Sequence, residues 1–186
     1  MLRGRYRPPT EEERELLVKH FGKEFEKKPR VFEHHIEGAK ALEERLNSMS
    51  KEELLNRISK YTAIQRAISD IMERKKNIYK EGAKEHIVPF EKALNFFSFE
   101  KAKLEEEAFK RGIKSREIEK IYKKLPQKEV VNIRLRLDSI ITKEPGKPGR
   151  FIDEFLRHLE PHRVDEALEM LDLQISTRKG STSFIC

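Results

Sequence analysis

Between Lys110 and Arg136 the chain carries ten Lys and Arg against three Glu. Within that stretch Lys114, Arg116, Lys120, Lys123, Lys124, Lys128, Asn132 and Arg136 recur at helical intervals. Steps of four relate Arg116 to Lys120 and Lys124, and Lys128 to Asn132 and Arg136, so on two helices each set shares a face. Such a face can follow a phosphate backbone, each contact releasing counterions. Asn132 has the donor and acceptor needed at an adenine edge. Pro126 places a turn between the two segments. The outline is that of a helix-turn-helix, without the Gly often found in its turn. The same stripe also suits an acidic protein surface, or a solvated charged face.

Histidine is the other residue type here with chemical reach. His34 and His35 are adjacent, and adjacent helical residues face apart. His158 and His162 are four apart with Pro161 between them. No Glu-x-x-His or His-Glu-x-x-His pair occurs, so neither a metal site nor a cofactor is expected. Arg30 with His35, and Arg157 with His162, share an Arg-x-x-x-x-His spacing. That spacing is similar to the motif of the HEPN ribonucleases, all-α dimers in which such an Arg and His meet at a subunit interface. The similarity covers these four residues, and Pro161 interrupts the second pair. It implies that His35 or His162 would act as acid or base at the 2′-hydroxyl or leaving oxygen, with the Arg on the phosphate.

There is no Gly-rich phosphate loop, nucleophile elbow or paired-carboxylate constellation. The runs Glu11–Glu13 and Glu105–Glu107 read as helix-face charge. The expectation is therefore a non-enzymatic binding protein that grips DNA or RNA through the 114–136 surface. The alternative is a protein-interaction adaptor or scaffold whose basic stripe meets an acidic partner, and a HEPN-like ribonuclease is third.

Composition sets the frame for these elements. The chain has 186 residues, 39% charged and 37% hydrophobic, with a formal net charge of +7. That length allows one domain with a real core, or a domain plus an appendage. Basicity is concentrated, because residues 151–175 hold seven acids against two Arg. With one Cys and no Trp, intramolecular disulfides are impossible and a reducing, cytoplasmic setting is expected. No apolar run reaches membrane-span length, and the basic start MLRGRYRPP lacks the apolar stretch of a secretory signal.

The elements that must hold the stripe read as helices throughout, so the predicted class is all-α: an irregular bundle around one long central helix over 50–79. Ser50 and Glu53 make a capping box, apolar residues recur at Leu54, Tyr61, Ile64, Ile68, Ile71 and Ile78 with Ile58 and Met72 beside them, and from Tyr61 the steps of three and four make a seam. Arg57 and Lys75 fall on the same side as that seam. Thr10 and Glu13 make a second capping box, opening a helix closed by Gly22. Residues 1–9 read as a basic extended arm, either frayed or in contact with a polyanion. A helix is predicted from about Arg30 to Asn47, with Val31, His35, Ala39, Leu42 and Leu46 on one stripe. Two helices are predicted over 86–109, the first with Pro89 in its first turn and an aromatic face (Phe90, Phe96, Phe97, Phe99), the second capped by Ser98. Ser115 is predicted to cap the helix that ends at Pro126. Residues 129–141 fit a half-buried strand or a helix, and with no second strand to pair with, helix is preferred. The predicted body covers 10–143, followed by a Pro/Gly linker at 144–150, an acidic helical pair at 151–175 and a disordered tail at 176–186.

Overall fold

The structure is a computed structural model that describes residues 4–142 and 155–171. The linker 144–150, the tail 176–186 and both outer ends of the acidic pair lie outside the described residues. The fold is all-α, with one ribbon of two residues per strand. The described chain divides into two compact units, one of residues 4–48 with 160–164, the other of 49–142 with 155–159 and 165–171.

In the first unit, β1 (Tyr6–Arg7) pairs antiparallel with β2 (Val31–Phe32). α1 spans Glu11–Phe21, a 3-10 turn spans Lys23–Phe25, and α2 spans Glu33–Ser48. The capping box is present: the Thr10 hydroxyl accepts from the Glu13 N–H at 3.2 Å, and the Thr10 N–H donates to Glu13 at 3.0 Å. Gly22 ends α1 at φ 111°, a conformation that suits glycine. α2 starts later than predicted. Val31, two residues after Pro29, enters the ribbon, where it is buried, so Ile36 heads the buried stripe with Ala39, Leu42 and Leu46. The core joins Leu17, Phe25, Val31, Ile36 and Ala39.

One carboxylate ties these pieces together. Glu13 is buried, and both Arg7 guanidinium nitrogens donate to it, at 2.9 and 2.8 Å. Lys40 of α2 lies 2.9 Å away. The Arg7 hydrogen bonds hold the Glu13 carboxyl well below the usual carboxylate range, against the effect of burial. Arg7 therefore serves β1, and of the arm's cations it is not the free one.

In the second unit, α3 is the long helix, Lys51–Tyr79, with the Ser50–Glu53 box in place at 3.1 and 3.0 Å. Leu54, Ile58, Tyr61, Ile64, Ile68 and Ile71 are all buried. A 3-10 turn, Lys80–Gly82, leads into α4, Ala83–Lys110. α4 is one helix rather than two. Ser98 lies in its interior and accepts a hydrogen bond from Gln65 of α3 at 2.9 Å, so its hydroxyl is not used as a cap. Pro89 also lies inside this helix, beyond its first turn. Phe90 and Phe97 are buried, and the Phe97 ring meets Tyr61 edge-on at 5.5 Å. Arg57, the charge on the seam, is buried and donates to Asp165 through both terminal nitrogens, at 3.1 Å each. The Lys75 ammonium lies over the Phe90 ring at 5.5 Å.

α5 (Ser115–Lys123), α6 (Gln127–Thr142) and α7 (Val164–Met170) follow. Residues 127–142 are helical, with Val130, Ile133 and Leu137 buried at steps of three and four. No helix among the described residues is long and apolar enough to cross a membrane.

Two outcomes follow. Glu13→Ala leaves Arg7 and Lys40 without their shared partner in a part-exposed setting, and urea unfolding followed by circular dichroism should show a loss of about 1–3 kcal/mol. Glu43 of α2 is held by Lys19 at 2.8 Å and lies 2.7 Å from His20 Nε2. The Lys19 hydrogen bond lowers its carboxyl from 4.5 to about 2. A carboxyl with a lowered folded-state pKa stabilises the fold above its unfolded pKa and loses that effect as pH falls through the folded one. Stability should therefore decline between about pH 4.5 and pH 2, and Glu43→Gln should flatten that limb in urea titrations at stepped pH.

Candidate nucleic-acid interface

α5 is only nine residues long, too short to stand alone in water. Its position comes from what it buries. Gly112 turns the chain out of α4 at φ 79°, Ile118 and Leu125 are buried, and Pro126 opens the turn into α6. Tyr122 hydrogen-bonds through its hydroxyl to Glu105 of α4. Burial and the Glu105 charge raise the Tyr122 pKa, so the phenol remains a donor. Lys101 of α4 lies over the Tyr122 ring at 4.4 Å, and Arg66 of α3 donates to the Tyr122 carbonyl at 3.4 Å. Sequence periodicity marks Tyr122 as an inner residue but cannot show Glu105 as its partner, 17 positions away.

With the apolar side inward, the basic side faces out. Lys114, Arg116, Lys120, Lys123, Lys124, Lys128 and Asn132 are all exposed. None of the six cations in that set makes an ion pair with another described residue. Two of the three acids in the segment are directed elsewhere. Glu117 lies 3.6 Å from Lys51, and Glu129 acts on the half-buried Lys60, whose pKa burial lowers. The third, Glu119, is exposed.

Arg136 differs from the rest of the stripe. It is part-buried, and its Nε donates to the Met170 carbonyl at the end of α7, at 3.0 Å. Ser115 is the first residue of α5, with Lys114 at the cap position and no side-chain cap bond. The outer face of α6 is also not wholly polar, since Val131 and Leu135 are exposed beside Lys128 and Asn132, Leu135 to 56%.

The acids of the C-terminal segment do not neutralise the stripe among the described residues. Asp165 is with Arg57, Glu166 lies 2.8 Å from His158, and Glu160 lies 3.3 Å from His162.

The two Arg/His spacings come out differently from one another. Arg30 precedes β2 and its guanidinium lies 5.9 Å from the Tyr6 ring centroid. His35 is in the first turn of α2, packed edge-on against Phe25 at 5.4 Å and tilted against Phe21 at 6.3 Å. Burial, with the His34 and Lys28 charges, lowers the His35 pKa, which disfavours the imidazolium. His162 lies between Glu160 and Glu37, while Arg157 is exposed. Among the described residues no group of three or more His, Cys, Asp or Glu is placed to hold a metal ion.

Comparison of the chain with protein-family models, curated proteins and solved structures finds no match.

Tyr122→Phe should leave Glu105 without its phenolic donor and destabilise the protein by about 1–2 kcal/mol in urea unfolding, with faster amide exchange in α5 than in α3.

Proposed function

We propose that this is a binding protein for nucleic acid, and that the outer faces of α5 and α6 are its grip. The observation that carries this reading is a set of six exposed cations, Lys114 to Lys128, with no ion-pair partner among the described residues. A protein surface tends to intersperse both signs of charge, and an uncompensated row costs self-repulsion unless a polyanion relieves it. The row spans two helices joined at Pro126, so its charges are held at fixed separations. Asn132 stands among them, exposed, with the amide that a base edge would require. Arg136 contributes to the field of the stripe while its Nε secures α7. The single cysteine fits a reducing compartment such as the cytoplasm.

A second reading is favoured by a different observation. Val131 and Leu135 give the α6 face an apolar component that phosphate contacts do not use. An adaptor that meets an acidic protein would use both components. The two readings separate by the ligand that competes for the surface.

Fluorescence anisotropy with labelled DNA and RNA tests the proposal. With about four phosphate contacts, affinity should fall on the order of a hundredfold between about 50 and about 200 mM salt. Reversal of Lys120, Lys123 and Lys124 to Glu should abolish binding. Arg116→Glu with Lys128→Glu is the companion variant. Both residues lie in helix first turns, where an acid suits the dipole, so the fold persists while binding weakens. Lack of binding to either polymer at low salt overturns the proposal and leaves the adaptor reading.

A further inference from the structure

The ribbon in the first unit has two faces, because neighbouring residues of a strand point to opposite sides. On one face Val31 is buried and Arg7 reaches Glu13. On the other face are Tyr6 and Phe32, which are register partners with ring centroids 5.0 Å apart. Phe32 also stacks on His34, at 5.5 Å with an interplanar angle of 22°. The three rings form a row. A cross-strand aromatic pair stabilises a ribbon through the contact between its rings. That role does not require the outer faces to be open, yet Tyr6 is 52% and Phe32 45% exposed.

A cation borders the row: Arg30 is exposed and makes no ion pair with another described residue. The Arg30 guanidinium lies on the Tyr6 ring side, 5.9 Å from its centroid. Glu33, the acid that follows β2, lies 3.6 Å from Arg7.

We infer that this face is a stacking platform for single-stranded nucleic acid, with unpaired bases on the Tyr6 and Phe32 rings and the phosphate backbone beside Arg30. The inference rests on the nucleic-acid reading above but uses separate residues. Aromatic rings beside a cation match the two components of an unpaired strand, its base faces and its backbone. A duplex keeps its base faces inside the stack and offers the rings nothing flat. Every base has a π-face, so the platform tolerates any sequence, and RNA and DNA supply the same chemistry.

The chain contains no Trp, so Phe32→Trp introduces a sole indole at the centre of the row. Circular dichroism and thermal unfolding that match the parent protein qualify that variant. It is titrated at low salt with oligo(dT) and oligo(U) of about 20 nucleotides, and with a duplex of equal length. Saturable quenching by single strands and none by the duplex is the expected result, and the stronger quencher of the two identifies DNA or RNA as the source. In the unmodified background, Tyr6→Ala and Phe32→Ala should each weaken single-strand binding by about tenfold in anisotropy and leave duplex binding unchanged. Single-strand binding by anisotropy with an unquenched indole overturns the platform and leaves the α5–α6 grip standing. Unchanged single-strand affinity in both alanine variants overturns it equally. Quenching that survives Arg116→Glu with Lys128→Glu supports the platform as a site separate from the α5–α6 grip. No binding of any oligonucleotide overturns both.

Discussion

The apolar stripe of α3 is the constraint on which the second unit depends. Six large side chains from Leu54 to Ile71 lie on one side of a single helix, and water must be kept from all of them. α4 meets that need by returning along α3. Contacts fix the register: Tyr79 with His86, Lys75 with Phe90, Gln65 with Ser98, and Tyr61 with Phe97. From Tyr79 through Lys75 to Gln65 the number on α3 falls while its partner on α4 rises from His86 through Phe90 to Ser98, which is an antiparallel alignment. Once α4 is laid down in this way, Glu105 and Lys101 are placed to receive Tyr122, and Arg111 reaches the Met49 carbonyl at 2.5 Å. The site helix α5 thus takes its position from a pairing that is itself driven by burial.

A chain with more charged than apolar residues must also sort its charges. Several of those inside are matched to partners. Glu13 collects Arg7 and Lys40, Glu43 collects Lys19 and His20, and Arg57 has Asp165. Leaving such a group unmatched would cost far more than a surface ion pair contributes, so burial enforces pairing. The exposed cations of α5 and α6 are under no such pressure. Their lack of partners is therefore a property of the surface and is independent of how the core was solved.

Local signals were legible in the sequence, and distant ones were not. Both capping boxes could be read because all their atoms lie within four residues. The spacing within 129–141 fits a strand as well as a helix, and the lack of a second strand to pair with is what favours the helix, which spans Gln127–Thr142. Arg57 could be seen as a charge on an apolar seam, but its partner Asp165 is 108 positions away and has no local signature. Ser98 was misread as a cap for the same reason, since its hydroxyl bonds Gln65 on another helix. The ribbon escaped notice because two residues are too few to show alternation, and Val31 fitted a helical stripe equally well. At the candidate site, exposure of the stripe was legible from period alone. The part-burial of Arg136 and the Tyr122–Glu105 hydrogen bond were not, because both involve other helices.

The position of each cation along its helix separates those that stabilise a helix from those that do not. Lys120, Lys123 and Lys124 lie in or beside the last turn of α5, where the macrodipole is negative and a cation stabilises the helix by about 0.3–1 kcal/mol. Helix stability alone gives them a reason to be basic. Lys114, Arg116 and Lys128 lie at the cap or in the first turn of α5 and α6, where the dipole is positive and the same charge is unfavourable. Glu117 and Glu129 occupy those turns as the dipole prefers, so acids were acceptable there. Folding does not call for the three N-terminal cations, and neither the core nor an ion pair among the described residues uses them. Under the proposed function, a negatively charged ligand on the outer face would supply that reason for residues on both helices at once.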